Sequence, residues 1–211
     1  MFVVFEGIDG SGKSTQAAQL VKTLHSDLEK AALLTAEPTR SQLGSMIRGE
    51  LVWGCDPDLE RNYLDDYAMA LLFQADRTYH LLGEIRPALS ADIIVVCDRY
   101  VLSSMAYQTT DEQKMSVVHA LNEHFDKPDI TFYLDVSVSE AIRRMSTRAQ
   151  AKEKFETETQ LRRIRYRYDK AIDLVGDEHH VVRINAEQSP EIIASEILEH
   201  LSMKLINRID Q

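Results

Sequence analysis

A glycine-rich segment, Gly7-Ile8-Asp9-Gly10-Ser11-Gly12-Lys13-Ser14, follows the apolar run Phe2 to Phe5 and precedes a helical stretch that begins at Thr15. It matches G-x-x-x-x-G-K-[ST], with the strand before and the helix after that the pattern requires. The glycines let the backbone turn so that successive N–H groups face inward, and the helix N-terminus adds positive potential at the same point. That geometry suits a polyphosphate. Lys13 is placed to reach the outer phosphates of a nucleotide, and the Ser14 hydroxyl to ligate the Mg²⁺ that a nucleoside triphosphate carries.

Four further segments rich in β-branched or apolar residues read as strands: Leu33 to Thr35, Ile93 to Cys97, Ile130 to Leu134 and Val181 to Ile184. Between them, one-face spacing predicts helices, through Leu20, Leu24 and Leu28 in the first stretch and Ile192, Ile193, Ile197, Leu201 and Leu205 in the last. Strands alternating with helices predict an α/β fold, a parallel sheet flanked by helices on both faces. The strands read as continuous apolar runs, as burial on two sides requires. Pro38, Pro57, Pro87, Pro128 and Pro190 are expected between elements, where a missing N–H costs least. The stretch from Leu59 to Leu89 is long enough for one extended helix or two. With no repeat, low-complexity tract or long Gly/Ser linker, residues 1–211 are expected to form one domain.

The 211 residues carry 24 Lys+Arg and 34 Asp+Glu, a net charge of −10, which excludes a broad basic surface. Apolar runs of about five residues are far below the roughly 20 that a membrane span needs. The start, Met1 to Phe5, meets Glu6 without the pattern of a secretory leader. Cys55 and Cys97 make no disulfide framework, so a reducing cytoplasm is the expected location.

The third strand runs into Asp98, an acid at a strand's carboxyl end where P-loop proteins hold Mg²⁺, and Arg99 follows directly. Arg99 reads as a phosphate-pairing guanidinium or, with Asp98, as a surface ion pair. No Asn-Lys-x-Asp motif occurs, which disfavours a GTPase.

Phe5 to Gln16, Glu37-Pro38-Thr39, Leu72 to Arg77, Asp98-Arg99-Tyr100 and Ser103 to Gln108 stand in the same order as in thymidylate kinases, and Pro128-Asp129 to Asp135 and Phe155-Glu156 extend the match. The chain resembles that family over almost its whole length. The resemblance implies a three-layer P-loop fold with strand order 2-3-1-4-5, a homodimer, and transfer of the γ-phosphoryl of ATP, with Mg²⁺, to dTMP. Gly7, Ile8, Asp9, Gly10, Ser11, Gly12, Lys13, Ser14 and Thr15 would then bind ATP. Lys13, Asp98, Arg99 and Arg148 would act in catalysis, with Ser14 and Asp98 at the metal. Arg99 would hold the acceptor phosphate, Phe73 would stack on thymine and Arg77 would bond a thymine carbonyl. Read from the residues alone, Phe73 belongs equally to a core-facing helical stripe. Ser104, Gln108 and Glu37 would complete the substrate pocket. Asp9 would accept from the sugar 3′-hydroxyl, and the Tyr107 ring would occupy the place of a ribose 2′-hydroxyl. No general base is needed, because a phosphate acceptor is already anionic.

Two positions depart from the family pattern. Ala36 stands where many members have arginine, and Arg40 is the expected substitute. Gly10 stands where one branch carries a cation inside the loop. Positive charge is concentrated elsewhere: from Ala141 to Lys170 ten basic residues face four acidic ones, a net +6 that leaves −16 for the rest. By resemblance, a lid at about 143–156 closes on the ATP phosphates, with Arg144, Arg148, Lys152 and Lys154 contributing. The charges beyond Gln160 read as a solvated helix face. The loop Asn185 to Pro190 is where the family places adenine. Without an aromatic-interleaved platform, nucleic acid is not an expected partner. The alternatives are a P-loop kinase acting on another nucleoside monophosphate or a deoxynucleoside, and a nucleotide-switched interaction protein.

Overall fold

The structure, a computed structural model, describes residues 1–53, 64–109, 111–147 and 158–209. Its centre is β1 (Phe2–Glu6), buried at every position, which pairs in parallel with β3 (Ile94–Asp98) on one side and β4 (Ile130–Asp135) on the other. β2 (Ala32–Ala36) and β5 (Val181–Asn185) close the edges, giving a five-stranded sheet in the order β2-β3-β1-β4-β5. The expected order and parallel sense are both observed. Their register sets Phe5 beside Asp98, Ala36 beside Asp98, and Asp135 beside Asn185, so the carboxyl ends form one row.

Helices connect and flank the strands: α1 (Lys13–Ser26), α2 (Gln42–Trp53), α3 (Asp66–His80), α4 (Arg86–Ser90), α5 (Val101–Tyr107), α6 (Glu112–Asn122), α7 (Val138–Thr147), α8 (Glu158–Val175) and α9 (Pro190–Ile209). α1 packs on β1, β2, β3 and α9, while α5 packs on α6 and α8. Side-chain oxygens cap several of them, Ser41 accepting from the Gly44 N–H (3.1 Å) at α2 and Ser137 from the Glu140 N–H (3.3 Å) at α7. Asp65 accepts from the Ala68 N–H at α3, and Asp111 from the Lys114 N–H at α6. None of the described helices is long and apolar enough to cross a membrane.

Three details differ from the sequence expectation. Leu20 and Leu24 are buried on α1, but the helix stops before Leu28, which is exposed. The Leu28 and Lys30 amides fold back onto the carbonyls of Thr23 and Leu24, and Glu29 takes φ 50°. On α9, Ile193, Ile197 and Leu201 are buried and Leu205 packs against the core, whereas Ile192 is exposed, since neighbouring residues sit about 100° apart around a helix. Pro87 does not separate elements. α3, a π-helical turn (Leu81–Ile85) and α4 form one rod, and the widened turn absorbs the bond that Pro87 cannot donate. Pro190, by contrast, opens α9, where its ring fits. Pro57 and Cys55 lie outside the described residues, and Cys97 is buried and free.

Candidate active site

The loop from Gly7 to Gly12 crosses the carboxyl ends of the central strands. Gly12 (φ 98°) precedes α1 without any side-chain cap, which leaves the first-turn amides of the helix pointing at the loop. Lys13 is 5% exposed and its Nζ donates to the Ile8 carbonyl at 2.9 Å. Burial, and then the nearby Arg99 charge, lower its pKa to about 8, against the pull of Asp9, Asp98 and Glu6. Ser14 Oγ donates to Asp98 Oδ2 at 2.5 Å, while Asp98 Oδ1 is buried with no hydrogen-bond partner. Ser11 Oγ, inside the loop, is likewise buried and unpaired. A buried carboxylate oxygen left open beside a serine hydroxyl fits a hard cation that takes its remaining ligands from phosphate and water. No cluster of three His, Cys, Asp or Glu that could hold a metal occurs among the described residues.

A second group of charges faces the loop. Arg99, at φ 72°, donates through Nη2 to Asp9 Oδ1, and Tyr107 donates its hydroxyl to Asp9 Oδ2 at 3.0 Å. The Arg99 guanidinium lies 4.8 Å from the centre of the Tyr107 ring. Burial opposes the Asp9 charge, but Arg99, Lys13 and the Tyr107 hydroxyl overcome it and hold the carboxyl below its usual range. Asp9, Arg99 and Tyr107 thus come together.

A third group is wholly enclosed. Arg77 is 1% exposed; its Nε and Nη2 donate to Glu37 Oε2 at 2.9 and 2.6 Å, its Nη2 to Ser104 at 3.0 Å, and its Nη1 to Asn122. His80 bridges Glu37 Oε1 (3.2 Å) and the Thr35 hydroxyl (2.7 Å). Burial works against the Arg77 charge, and Glu37 overrides it and holds the guanidinium above its ordinary value. Phe73, partly buried, lies one turn before Arg77 on α3. Gln108 is buried with its Oε1 unpaired.

Between the first two elements of the sheet and α2 opens a cleft of about 690 Å³, lined in part by Ser14, Ala36, Arg40, Arg48, Glu84 and Asp98. Arg40 is exposed there, while Arg48 donates to the carbonyls of Pro38 (2.9 Å) and Thr39 (2.6 Å). On the far side of the loop, Arg144 bonds Glu140 (2.7 Å) and the Ala186 carbonyl (2.7 Å) and approaches the Ser11 carbonyl at 3.5 Å.

The thymidylate kinase family model matches residues 5–197. A protein named thymidylate kinase from Leptospira interrogans serogroup Icterohaemorrhagiae serovar copenhageni (strain Fiocruz L1-130) is 37% identical over 206 residues, covering 94% of this chain and 92% of that protein. One named probable thymidylate kinase from Pyrococcus horikoshii (strain ATCC 700860 / DSM 12428 / JCM 9974 / NBRC 100139 / OT-3) is 37% identical over 97% of both chains. The chain belongs to the thymidylate kinase family.

Seen as a member of that family, the chain has site features that sequence reading passed over. Glu6, Ser103 and Tyr168 form a buried hydrogen-bonded group beneath Arg99. Asp76, also buried, takes the Thr39 N–H (2.7 Å) and the Thr39 and Ser41 hydroxyls, fixing the chain between Glu37 and α2. A charged residue closing an otherwise apolar strand was the one available signal for Glu6; Asn122 and Tyr168 gave none, because helical spacing does not reveal which polar residues meet across elements. Arg148, Lys152, Lys154, Phe155, Glu156 and the rest of the expected lid beyond Thr147 lie outside the described residues. Of the charges beyond Gln160, Arg162 pairs with Glu158 and Arg165 with Asp135, in keeping with a solvated face.

Proposed function

We propose that the chain transfers the γ-phosphoryl of ATP to dTMP, giving dTDP and ADP. The observation that carries this reading is the proximity of Lys13, Ser14 and Asp98 to the Asp9–Arg99–Tyr107 group at the carboxyl end of β3 and the glycine-rich loop. An acceptor phosphate oxygen bonds the γ-phosphorus as the bond to the β,γ-bridging oxygen breaks, and the electron pair leaves with ADP. Two polyanions have to be held in line while their repulsion is cancelled, so positioning and positive charge supply most of the rate. Lys13 and the loop amides from Gly7 to Thr15 take the donor phosphates, and Arg99 takes the acceptor phosphate. Ser14 and Asp98 would hold Mg²⁺, which when bound draws charge off the β- and γ-phosphate oxygens.

Asp9 accepts from the 3′-hydroxyl, and Tyr107 fills the space of a 2′-hydroxyl, which would be penalised if buried unpaired. Arg77, held square by Glu37, and Phe73, Ser104 and Gln108 form the base pocket, with Arg40 standing in for the cation missing at Ala36. Arg144 and Arg148 belong to a lid at about 143–156 that shields the phosphoryl group from water. The enzyme works as a single domain per chain in the cytoplasm and pairs as a homodimer; exposed Tyr67, Leu71, Tyr79 and Leu82 on the α3 rod supply apolar surface for this. An ADP-release assay with Mg²⁺-ATP tests the reading. It predicts turnover with dTMP, loss of turnover in Lys13→Ala, a strong reduction in Arg99→Ala, and relaxed rejection of ribonucleotides in Tyr107→Ala. Efficient use of another acceptor with no turnover of dTMP would overturn it.

A further inference from the structure

We propose that Glu6, acting through the hydroxyls of Ser103 and Tyr168, is a positioning residue that sets Arg99 for the acceptor phosphate, an inference that rests on the role given to Arg99 above. Glu6 is the last residue of β1 and has no exposed surface. Four donors converge on its carboxylate. Oε1 accepts from the Tyr100 N–H (2.8 Å) and the Ser103 N–H (3.1 Å), and Oε2 accepts from the Ser103 Oγ–H (2.5 Å) and the Tyr168 O–H (3.0 Å). A carboxylate in the middle of a sheet is costly to desolvate, and burial does push its pKa up, against the hydrogen bond from Ser103 and the charge of Arg99.

What that carboxylate holds is the arginine from two directions. Arg99 has φ 72°, a conformation that persists only where its surroundings over-determine it. Its own N–H is fixed to the Phe5 carbonyl at 2.9 Å, and the amides one and four residues after it, those of Tyr100 and Ser103, are fixed to Glu6 Oε1. The side chain is held as well. Because the Ser103 and Tyr168 hydroxyls spend their protons on Glu6, they turn lone pairs toward Arg99 Nη1, at 3.3 and 3.4 Å. One edge of the guanidinium is thereby pinned, and the Nη2 edge faces Asp9 and Tyr107. With Nη1 unpinned, the guanidinium is held through Nη2 alone and can pivot about its bond to Asp9, so it no longer offers a fixed edge to the acceptor phosphate.

Tyr168→Phe removes the hydroxyl and keeps the ring that packs on Tyr107 and Tyr133; Glu6→Gln keeps the shape and removes the charge. The readout is affinity for dTMP relative to thymidine by calorimetry, with KM for ATP and melting temperature measured alongside. Both variants are expected to lose about tenfold in dTMP affinity, with thymidine affinity and KM for ATP within twofold of the parent. In an Arg99→Ala background, Tyr168→Phe should change dTMP affinity by less than about twofold. Should Glu6→Gln fail to fold, Tyr168→Phe decides alone. Equal weakening of thymidine and dTMP, no weakening of either, or full additivity with Arg99→Ala overturns the positioning role. An Arg99→Ala variant with an unchanged dTMP-to-thymidine ratio overturns the role of Arg99 itself, which is a separate result.

Discussion

Replacing Glu37 with glutamine removes one charge from a pair that water hardly reaches, since the side chains of Arg77 and Glu37 are 1% and 2% exposed. Arg77 keeps only neutral partners after the change: Asn122, Ser104, and the rings of Tyr100 and Phe125, whose centres lie 4.9 and 5.6 Å from the guanidinium. Leaving a buried charge uncompensated costs about 3–5 kcal/mol. The ring faces and the new amide oxygen offset part of this, so a loss near 3 kcal/mol is expected. For a chain of this length that lowers the melting temperature by about 6–12 °C. Urea unfolding at pH 7, followed by circular dichroism with the m-value checked, measures it. The double variant Glu37→Gln/Arg77→Met removes the stranded charge and should recover at least half of the loss, because an apolar replacement of a buried pair is often neutral. A single-variant loss below about 1 kcal/mol, or a double variant no more stable than the single, refutes the reasoning.

Three other outcomes are expected. Gly10 sits at φ 81°, and a Cβ there would lie 2.5 Å from the Ala141 carbonyl oxygen, so Gly10→Ala must displace α7 with Arg144. KM for ATP should rise about tenfold, and an unchanged value would count against the loop geometry. His179, buried at the end of a 3₁₀ turn (Gly176–His179), has its pKa lowered to about 4 by burial first and Lys127 second. Its folded pKa lies below the unfolded value, so the unfolded chain binds the extra proton between about pH 4 and 6.5 and stability falls as pH drops through that window. His179→Gln should flatten the pH dependence of the urea midpoint there, and identical curves for parent and variant would rule this out. Asp98→Asn should raise the Mg²⁺ concentration for half-maximal turnover by about tenfold or more with little change in melting temperature, and an unaltered Mg²⁺ titration would remove Asp98 from the metal site.

Much of the frame was legible because local signals agreed with long-range ones. The loop from Gly7 to Ser14 needs a strand before it and a helix after it, and both exist. Asp98 and Arg99 were readable because a polar pair that ends an apolar run marks the carboxyl edge of a sheet. What escaped was set by packing in three dimensions. Leu28 keeps perfect helical spacing, yet backbone capping ends α1 before it. Phe73 remained ambiguous because spacing alone cannot tell a pocket wall from a core. Asn122 and Tyr168 come from helices far along the chain and meet Arg77 and Glu6 only after the fold has formed. Arg48, which no motif singles out, reaches the cleft beside Arg40 through the geometry of α2.

The π-helical turn in the α3 rod has a consequence for how this stretch tolerates change in length. An ordinary helix turns about 100° per residue, and the widened turn absorbs one residue's worth of rotation between His80 and Arg86. Deleting one residue of Leu81–Ile85 would therefore close the rod into regular helix with its two ends still in phase, leaving Arg77 and His80 on Glu37 and Ala88 in the core. Deleting a residue from the regular turns of α3, or adding one to the rod, would instead swing the ends apart by about 100°. The rod can therefore shorten at one place only.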